Sequence, residues 1–312
     1  MFIENSSVSE STVQKLFEKF KVITFSEYNK NDYLKTDVTH IYTRLSVKLD
    51  EKFISKYPNL KFIGCPTTSI DHIDTEFCGR KSIKLITIGK QGKLLKQITS
   101  TAELATWLLI ELSRSPSKYA KSVLEGNWNR YQYNSESLNG KTLGIIGLGR
   151  VGKQVARVFS NLGMKIIFFD SKKCILARYK RVSSLIQIAE QSDFITIHVN
   201  GINENRNLIN GTFLKHLKSS GSYIVNTSRG LIVNEVDIVE SLKKGNLIGY
   251  ATDVLDGENT SDLNWLTTNP LWKELSLDGK LVITPHIGGA TADSLLKVDN
   301  YVLEVLSMNE YI

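Results

Sequence analysis

The stretch Gly147-Leu-Gly149-Arg150-Val151-Gly152 limits what this chain can become more than any other. A small apolar run, GIIG, leads into it. A helical pattern follows, with Val151, Val155, Val158 and Phe159 predicted to share one face. A second apolar run, Lys165 to Phe169, ends in Asp170, 21 residues after Gly149. Strand, glycine turn, helix, strand and acid in that order read as the first half of a dinucleotide-binding domain.

Each position has a physical task. Gly147 turns the chain tightly off the strand, Gly149 lets a pyrophosphate approach the backbone, and Gly152 lets the helix lie close to the sheet. The helix N-terminus offers unpaired N–H groups and a positive dipole end. A carboxylate at Asp170 suits two ribose hydroxyls and repels a 2′-phosphate, so the expected cofactor is NAD rather than NADP.

A length of 312 residues suggests two domains, and 41% apolar with 23% charged residues is an ordinary globular mixture. The net charge of +7 is spread along the chain and includes no basic block, which argues against a nucleic-acid binder and favours a small anionic substrate. Cys65, Cys78 and Cys174 have neither CxxC nor metal-ligand spacing, so reduced thiols, a cytoplasmic setting and no metal are expected. The opening residues lack the pattern of a signal peptide, and no run is apolar enough to span a membrane.

Strands are predicted at Lys21–Phe25, Val38–Thr43, Leu60–Gly64 and Ile83–Ile88, with a short helix at Asp50–Tyr57 stopped by Pro58. The cluster Cys65 to Asp71 is a loop at a strand end, where ligands of α/β domains gather. Gly89 to Leu95 has no clear assignment. A helix opens at Ser100, with Ser100 and Glu103 spaced as a capping box. Past Asp170, short strands and helices alternate, and a last helix runs from Thr291 almost to the end. The predicted class is α/β: two Rossmann-like domains, the NAD-binding one (101–290) inserted into a smaller flavodoxin-like substrate domain (1–100 and 291–312).

Arg229, Glu258 and His286 fall in loops beyond predicted strand ends. In a parallel sheet such loops share one edge, so sequence distance does not separate them. Their types suit hydride transfer to or from a 2-hydroxy acid. A histidine can take and return the hydroxyl proton, a carboxylate beside it fixes the tautomer, and an arginine fork binds the substrate carboxylate. Alone, each has a plainer explanation: a surface charge at Arg229, a turn residue at Glu258, a structural histidine at His286.

With the glycine motif, they resemble the D-isomer-specific 2-hydroxyacid dehydrogenase family, which includes D-3-phosphoglycerate, glycerate and D-lactate dehydrogenases. The matching segments are STAELATWLL, GKTLGIIGLGRVGKQVA, IVNTSRGLIVNEVDIVESLKKGNLIGYATDV and ITPHIGGAT. The resemblance implies His286 as acid/base, Glu258 as its partner and Arg229 as the substrate arginine. It implies Asp253 on the nicotinamide carboxamide, Thr227, Gly288 and Gly289 around the nicotinamide, His198 near the cofactor, Arg150 over the pyrophosphate and Asp170 on the ribose. Ser69, Ile70 and Asp71 would clasp the substrate carboxylate through backbone N–H groups, and Arg44 would reach a phosphoglycerate-like substrate. A homodimer through the cofactor domain is also implied.

Three departures stand out. Ser69 replaces a usual glycine, His198-Val-Asn200-Gly201-Ile replaces HxPLT, and Asn259 replaces a proline. The implied activity is hydride transfer between NAD(H) and a D-2-hydroxy acid or 2-oxo acid, with 3-phosphoglycerate and glycerate among the candidates. Two rival readings use the same scaffold: an NAD(H)-sensing corepressor-like interaction protein, and a formate- or phosphite-type dehydrogenase. The glutamate at 258 argues against the formate branch, which places glutamine there.

Overall fold

The computed structural model describes residues 2–3, 10–24, 35–45, 47–129, 131, 135–172, 178–258, 264–274 and 279–308. Phe25, Cys174 and Asn259 lie outside the described residues. The chain forms two compact units, one from residues 2–98 and 290–308, the other from 99–258 and 264–289.

In the first unit, β1 (Phe2–Ile3), β2 (Ile23–Thr24), β3 (His40–Tyr42), β4 (Phe62–Cys65) and β5 (Lys84–Thr87) form one parallel sheet in the order β2-β1-β3-β4-β5. Every residue of β3 and β4 is buried, as expected for strands covered on both faces. The closing helix Ala292–Met308 lies directly on β4. A Cβ at Gly64 would come within 2.8 Å of Leu306 and 2.9 Å of Val302. Where the sequence offers no assignment, a short helix forms at Gly92–Lys96, turning Leu94 and Leu95 toward the apolar cluster around Ile98 and Val302.

The second unit holds β6 (Thr142–Ile146), β7 (Lys165–Phe169), β8 (Lys180–Arg181), β9 (Phe194–Ile197), β10 (Ser222–Asn226), β11 (Leu247–Thr252) and β12 (Leu281–Ile283). Their order is β12-β11-β10-β9-β6-β7-β8, and every pairing is parallel. The chain leaves β6 toward β7 and β8, then returns to β9 on the other side. This reversal opens a crevice at the carboxyl ends of β6 and β9, the general ligand position of doubly wound sheets.

The helix Arg150–Asn161 packs against this sheet through Gly152, Val155, Ala156 and Phe159. Val158, predicted on that face, is 37% exposed, because the buried stripe follows i, i+3, i+4, i+7 from Gly152 rather than from Val151. Fully buried side chains such as Phe159 and Phe168 each contribute about 1.5–3 kcal/mol by leaving water. The helix Ser100–Arg114 starts on the predicted cap itself: the N-cap is Thr99, one residue earlier, and its hydroxyl donates to Glu103 at 2.5 Å. Ser100 is buried inside the first turn. The helix Glu235–Lys244 shows the expected signals at both ends. The Asn234 side chain accepts from Asp237 N, acids occupy the first turn and lysines the last, and Gly245 closes it at φ +79°.

Candidate active site

The glycine turn leaves the carboxyl end of β6. Gly147 has φ +92°, and a Cβ there would lie 2.6 Å from the His198 carbonyl oxygen, so only glycine fits. At Gly152 a Cβ would meet the Gly147 carbonyl at 2.3 Å, which brings the helix start close to the strand end. At Gly149 an added Cβ meets nothing within 4 Å, and the helix that starts there has no side-chain cap. The free N–H groups of such a helix start can hold a phosphate. Arg150 is half-buried at this helix start, and burial lowers its pKa.

Asp170 follows β7 and is half-buried. Its carboxylate accepts the Leu148 N–H at 2.9 Å and the Lys172 N–H at 2.9 Å, while its carbonyl takes Arg181 at 2.7 Å. The acid at the end of the second strand therefore also holds the glycine turn in shape.

His198 follows β9. Its Nε2 is 2.9 Å from the Thr196 hydroxyl, and burial pushes its pKa down to about 3, so the ring is neutral. Thr227 follows β10 and is 7% exposed, with a buried hydroxyl oxygen that finds no partner among the described residues. A buried hydroxyl in such a place fits a polar ligand group. The open space at Gly149, the uncapped helix and this hydroxyl all suit a dinucleotide.

Arg229 lies in a turn built by Asn226, whose side chain accepts the Ser228 N–H at 3.0 Å and donates to the Arg229 carbonyl at 3.0 Å. The Arg229 Nη1 donates to the Ser228 carbonyl at 2.8 Å. Its aliphatic stem fills the space over Gly201, where a Cβ would fall 2.4 Å from Cγ. Sequence reasoning assigns no role to Asn226, and it notes Gly201 only as part of a departure from the family pattern. Asn226 could have been found as an Asx-turn former at a strand end, whereas Gly201 carries no local signal.

Asp253 follows β11, and His286 lies three residues beyond β12. The Asp253 carboxylate accepts the Thr284 hydroxyl at 2.6 Å and the Ile287 and Gly288 N–H groups at 2.8 and 2.7 Å. Burial raises its pKa, and these three donors oppose the shift. Two oxygens carry about four acceptor sites, so one remains for a ligand amide such as the implied carboxamide. Gly289 is exposed. His286 has φ +54°, the left-handed region, and its Nδ1 lies 2.6 Å from Glu258 Oε1. A carboxylate at Nδ1 leaves Nε2 as the proton-exchanging atom. Glu258 and His286, 28 residues apart, are thus brought into contact. Among the described residues, no group of three or more His, Cys, Asp or Glu could hold a metal ion.

The remaining predicted residues belong to the first unit. Arg44 is 7% exposed and forms an ion pair with the fully buried Asp299. Asp299 also accepts the Tyr42 hydroxyl at 2.6 Å and the Thr12 hydroxyl at 3.0 Å. The sequence expectation for Arg44 is a substrate contact; in the structure its guanidinium answers a buried carboxylate of the closing helix. In the strand-end loop, Thr67 donates to the Ser69 carbonyl at 2.6 Å, and the Ser69 hydroxyl donates to Asp71. Ile70 is half-buried and Asp71 exposed. Ser69 does not take up positive φ, so this loop accommodates a side chain where the family has glycine.

Comparison with known proteins places this geometry. The family model for the D-isomer specific 2-hydroxyacid dehydrogenase NAD binding domain matches residues 106–288. A hydroxypyruvate reductase of Thermotoga maritima is 31% identical over 96% of this chain and 95% of its own length. A D-3-phosphoglycerate dehydrogenase of Archaeoglobus fulgidus is 33% identical over 85% of this chain but only 48% of its own length. Across the phosphoglycerate dehydrogenase relatives the match covers from 48% to 66% of their length. Among solved structures, the D-lactate dehydrogenase of Aquifex aeolicus complexed with NAD and lactic acid superposes with a TM-score of 0.84 at 26% identity, covering 99% of this chain and 95% of that one. The chain therefore belongs to the D-isomer specific 2-hydroxyacid dehydrogenases, a family of oxidoreductases, and its cofactor is NAD.

Proposed function

We propose that the protein reduces a small 2-oxo acid to the D-2-hydroxy acid, with hydroxypyruvate as the first candidate substrate and glycerate as the product. The observation that carries this reading is the 2.6 Å contact between Glu258 and His286 Nδ1 at the strand edge that also bears the glycine turn. The bound dinucleotide supplies the hydride. His286 Nε2 delivers a proton to the carbonyl oxygen, and Glu258 holds the ring in the required tautomer and stabilises its positive charge. Arg229 grips the substrate carboxylate and polarises the carbonyl.

Hydroxypyruvate comes first because the relative matched over nearly its full length bears that name. The commitment of Arg44 to Asp299 weakens the case for a phosphorylated substrate. The test is a scan of hydroxypyruvate, glyoxylate, pyruvate and 3-phosphohydroxypyruvate with NADH, beside the His286→Ala variant. Turnover in the wild type, reduced by about 10² or more in the variant while NADH still binds, is the expected result. No turnover with any 2-oxo acid would favour the sensor reading. We also infer a homodimer of more than about 1,000 Å² of buried surface, to which the exposed Trp107, Leu124 and Trp128 would contribute. A concentration-independent monomer in sedimentation equilibrium would refute it.

A further inference from the structure

We propose that Glu235 is a positioning residue: it fixes the turn that carries Glu258 and so sets how that carboxylate meets His286. The proposal rests on the acid–base reading of His286 and Glu258. Glu235 opens the helix Glu235–Lys244 and is only 7% exposed. An acid in a first helical turn gains from the dipole while exposed, so burying one there has a cost that needs an offset.

The offset is visible in its partners. Oε1 accepts the Asp256 N–H at 2.8 Å, two residues before Glu258, and Oε2 accepts the Asn269 side-chain amide at 2.6 Å. Asn269 cannot reverse that amide, because its oxygen caps the next helix, accepting the Leu271 and Trp272 N–H groups at 2.9 and 3.2 Å. The same turn is pressed by the residue after Arg229. A Cβ at Gly230 would fall 2.0 Å from the Leu255 carbonyl carbon and 2.1 Å from Asp256 N. Arg206 holds the Asp256 carboxylate at 3.0 Å. The turn bearing Arg229 and the turn bearing Glu258 are thus in direct contact, and Glu235 pins one to the other.

The charged and titratable groups around Glu235 are Asp256, Glu258 and Tyr250, with Arg206 paired to Asp256. Burial pushes the Glu235 pKa up to about 7. The two N–H donors oppose that shift, and the charges of Asp256 and Glu258 add to it. On the other side, His286 faces Glu258 and Asp253.

The test is Glu235→Gln, which keeps size but leaves an amide donor facing either Asn269 or the Asp256 N–H. For 2-oxo-acid reduction, kcat is expected to fall about tenfold while NADH affinity holds. The alkaline limb of the kcat/KM profile is expected to move to lower pH, as for Glu258→Gln, and not to move further when the two changes are combined. Glu235→Gln/Asn269→Asp restores complementarity, since the new amide donates to a carboxylate whose other oxygen keeps the helix cap. It is expected to fold and to return the limb to its wild-type position. Should the single variant not fold, Asn269→Ala removes one anchor of the carboxylate and is expected to move the limb the same way by less. An unmoved limb in every folded variant, with only Tm lowered, overturns the proposal. Near-normal turnover in His286→Ala would instead overturn the acid–base reading beneath it.

Discussion

Asp253 holds His286 twice: its backbone carbonyl accepts the His286 N–H at 2.9 Å, and its carboxylate gathers the Thr284 hydroxyl and the next two amides after the histidine. The left-handed backbone at His286 is stable because this neighbouring strand end fastens the loop on both sides. Asp253→Asn leaves one acceptor oxygen for three donors. The variant is expected to lose about 1–3 kcal/mol of stability and at least about tenfold in kcat/KM, measured by urea unfolding and by initial rates. Unchanged values in both would show that the loop holds itself.

Glu258→Gln keeps the contact with His286 but removes the negative charge. The imidazolium is then less favoured, so the proton needed for reduction is lost at lower pH. The alkaline limb of reduction is expected to move down in pH, and the acid limb of hydroxy-acid oxidation to move down with it. Initial rates across both profiles decide the matter, and a limb that stays in place would remove Glu258 from this role. Arg229→Lys is expected to lose most activity as well, since a point charge cannot replace the two-pronged fork.

Asp170 holds the glycine turn, and its proposed contact with the cofactor ribose separates from that task experimentally. Asp170→Ala removes an acceptor for ribose hydroxyls and the repulsion of a 2′-phosphate, so the preference for NADH over NADPH is expected to narrow. It also strips the Leu148 N–H of its acceptor, so both affinities are expected to weaken. Fluorescence titration with the two cofactors measures each effect. A wild type that binds NADPH as tightly as NADH would contradict the expected specificity.

His40 makes stability depend on acid. It is 7% exposed and stacks on Phe62 with ring centroids 4.8 Å apart. Burial, with Lys61 adding, pushes its pKa from 6.5 down to about 4. A depressed folded-state value means that stability is present above pH 6.5 and lost as pH falls through about 4. Urea unfolding across this window is expected to show that fall, and His40→Phe to flatten it. Parallel curves for the two proteins would assign the acid sensitivity elsewhere.

Much of the second unit was legible in the residues. Gly147, Gly152 and Asp170 are read directly because their tasks are local: a turn, a close approach, an acid at a fixed distance. Glu258 and His286 could be paired because a parallel sheet gathers strand-end loops along one edge. What escaped depends on tertiary contact. The partner of Arg44 is Asp299, 255 residues away, and nothing near Arg44 signals it. On the helix Arg150–Asn161, Val155 and Phe159 are buried as expected and Val158 is not; Gly152 and Ala156, which complete the buried face, are small enough to look neutral in sequence. Glu235 reads as an ordinary first-turn acid until Asp256 and Asn269 are seen to close over it.

Gly201 has no chemistry of its own, yet the stem of Arg229 occupies the volume a side chain there would need. A single methyl group at that position must displace the Arg229 side chain, proposed above to hold the substrate carboxylate, while the proposed acid–base pair stays where it is. If Arg229 has the role proposed above, mutational drift at this silent site is a short route to a changed substrate range, open to evolution or to an engineer without touching Glu258 or His286.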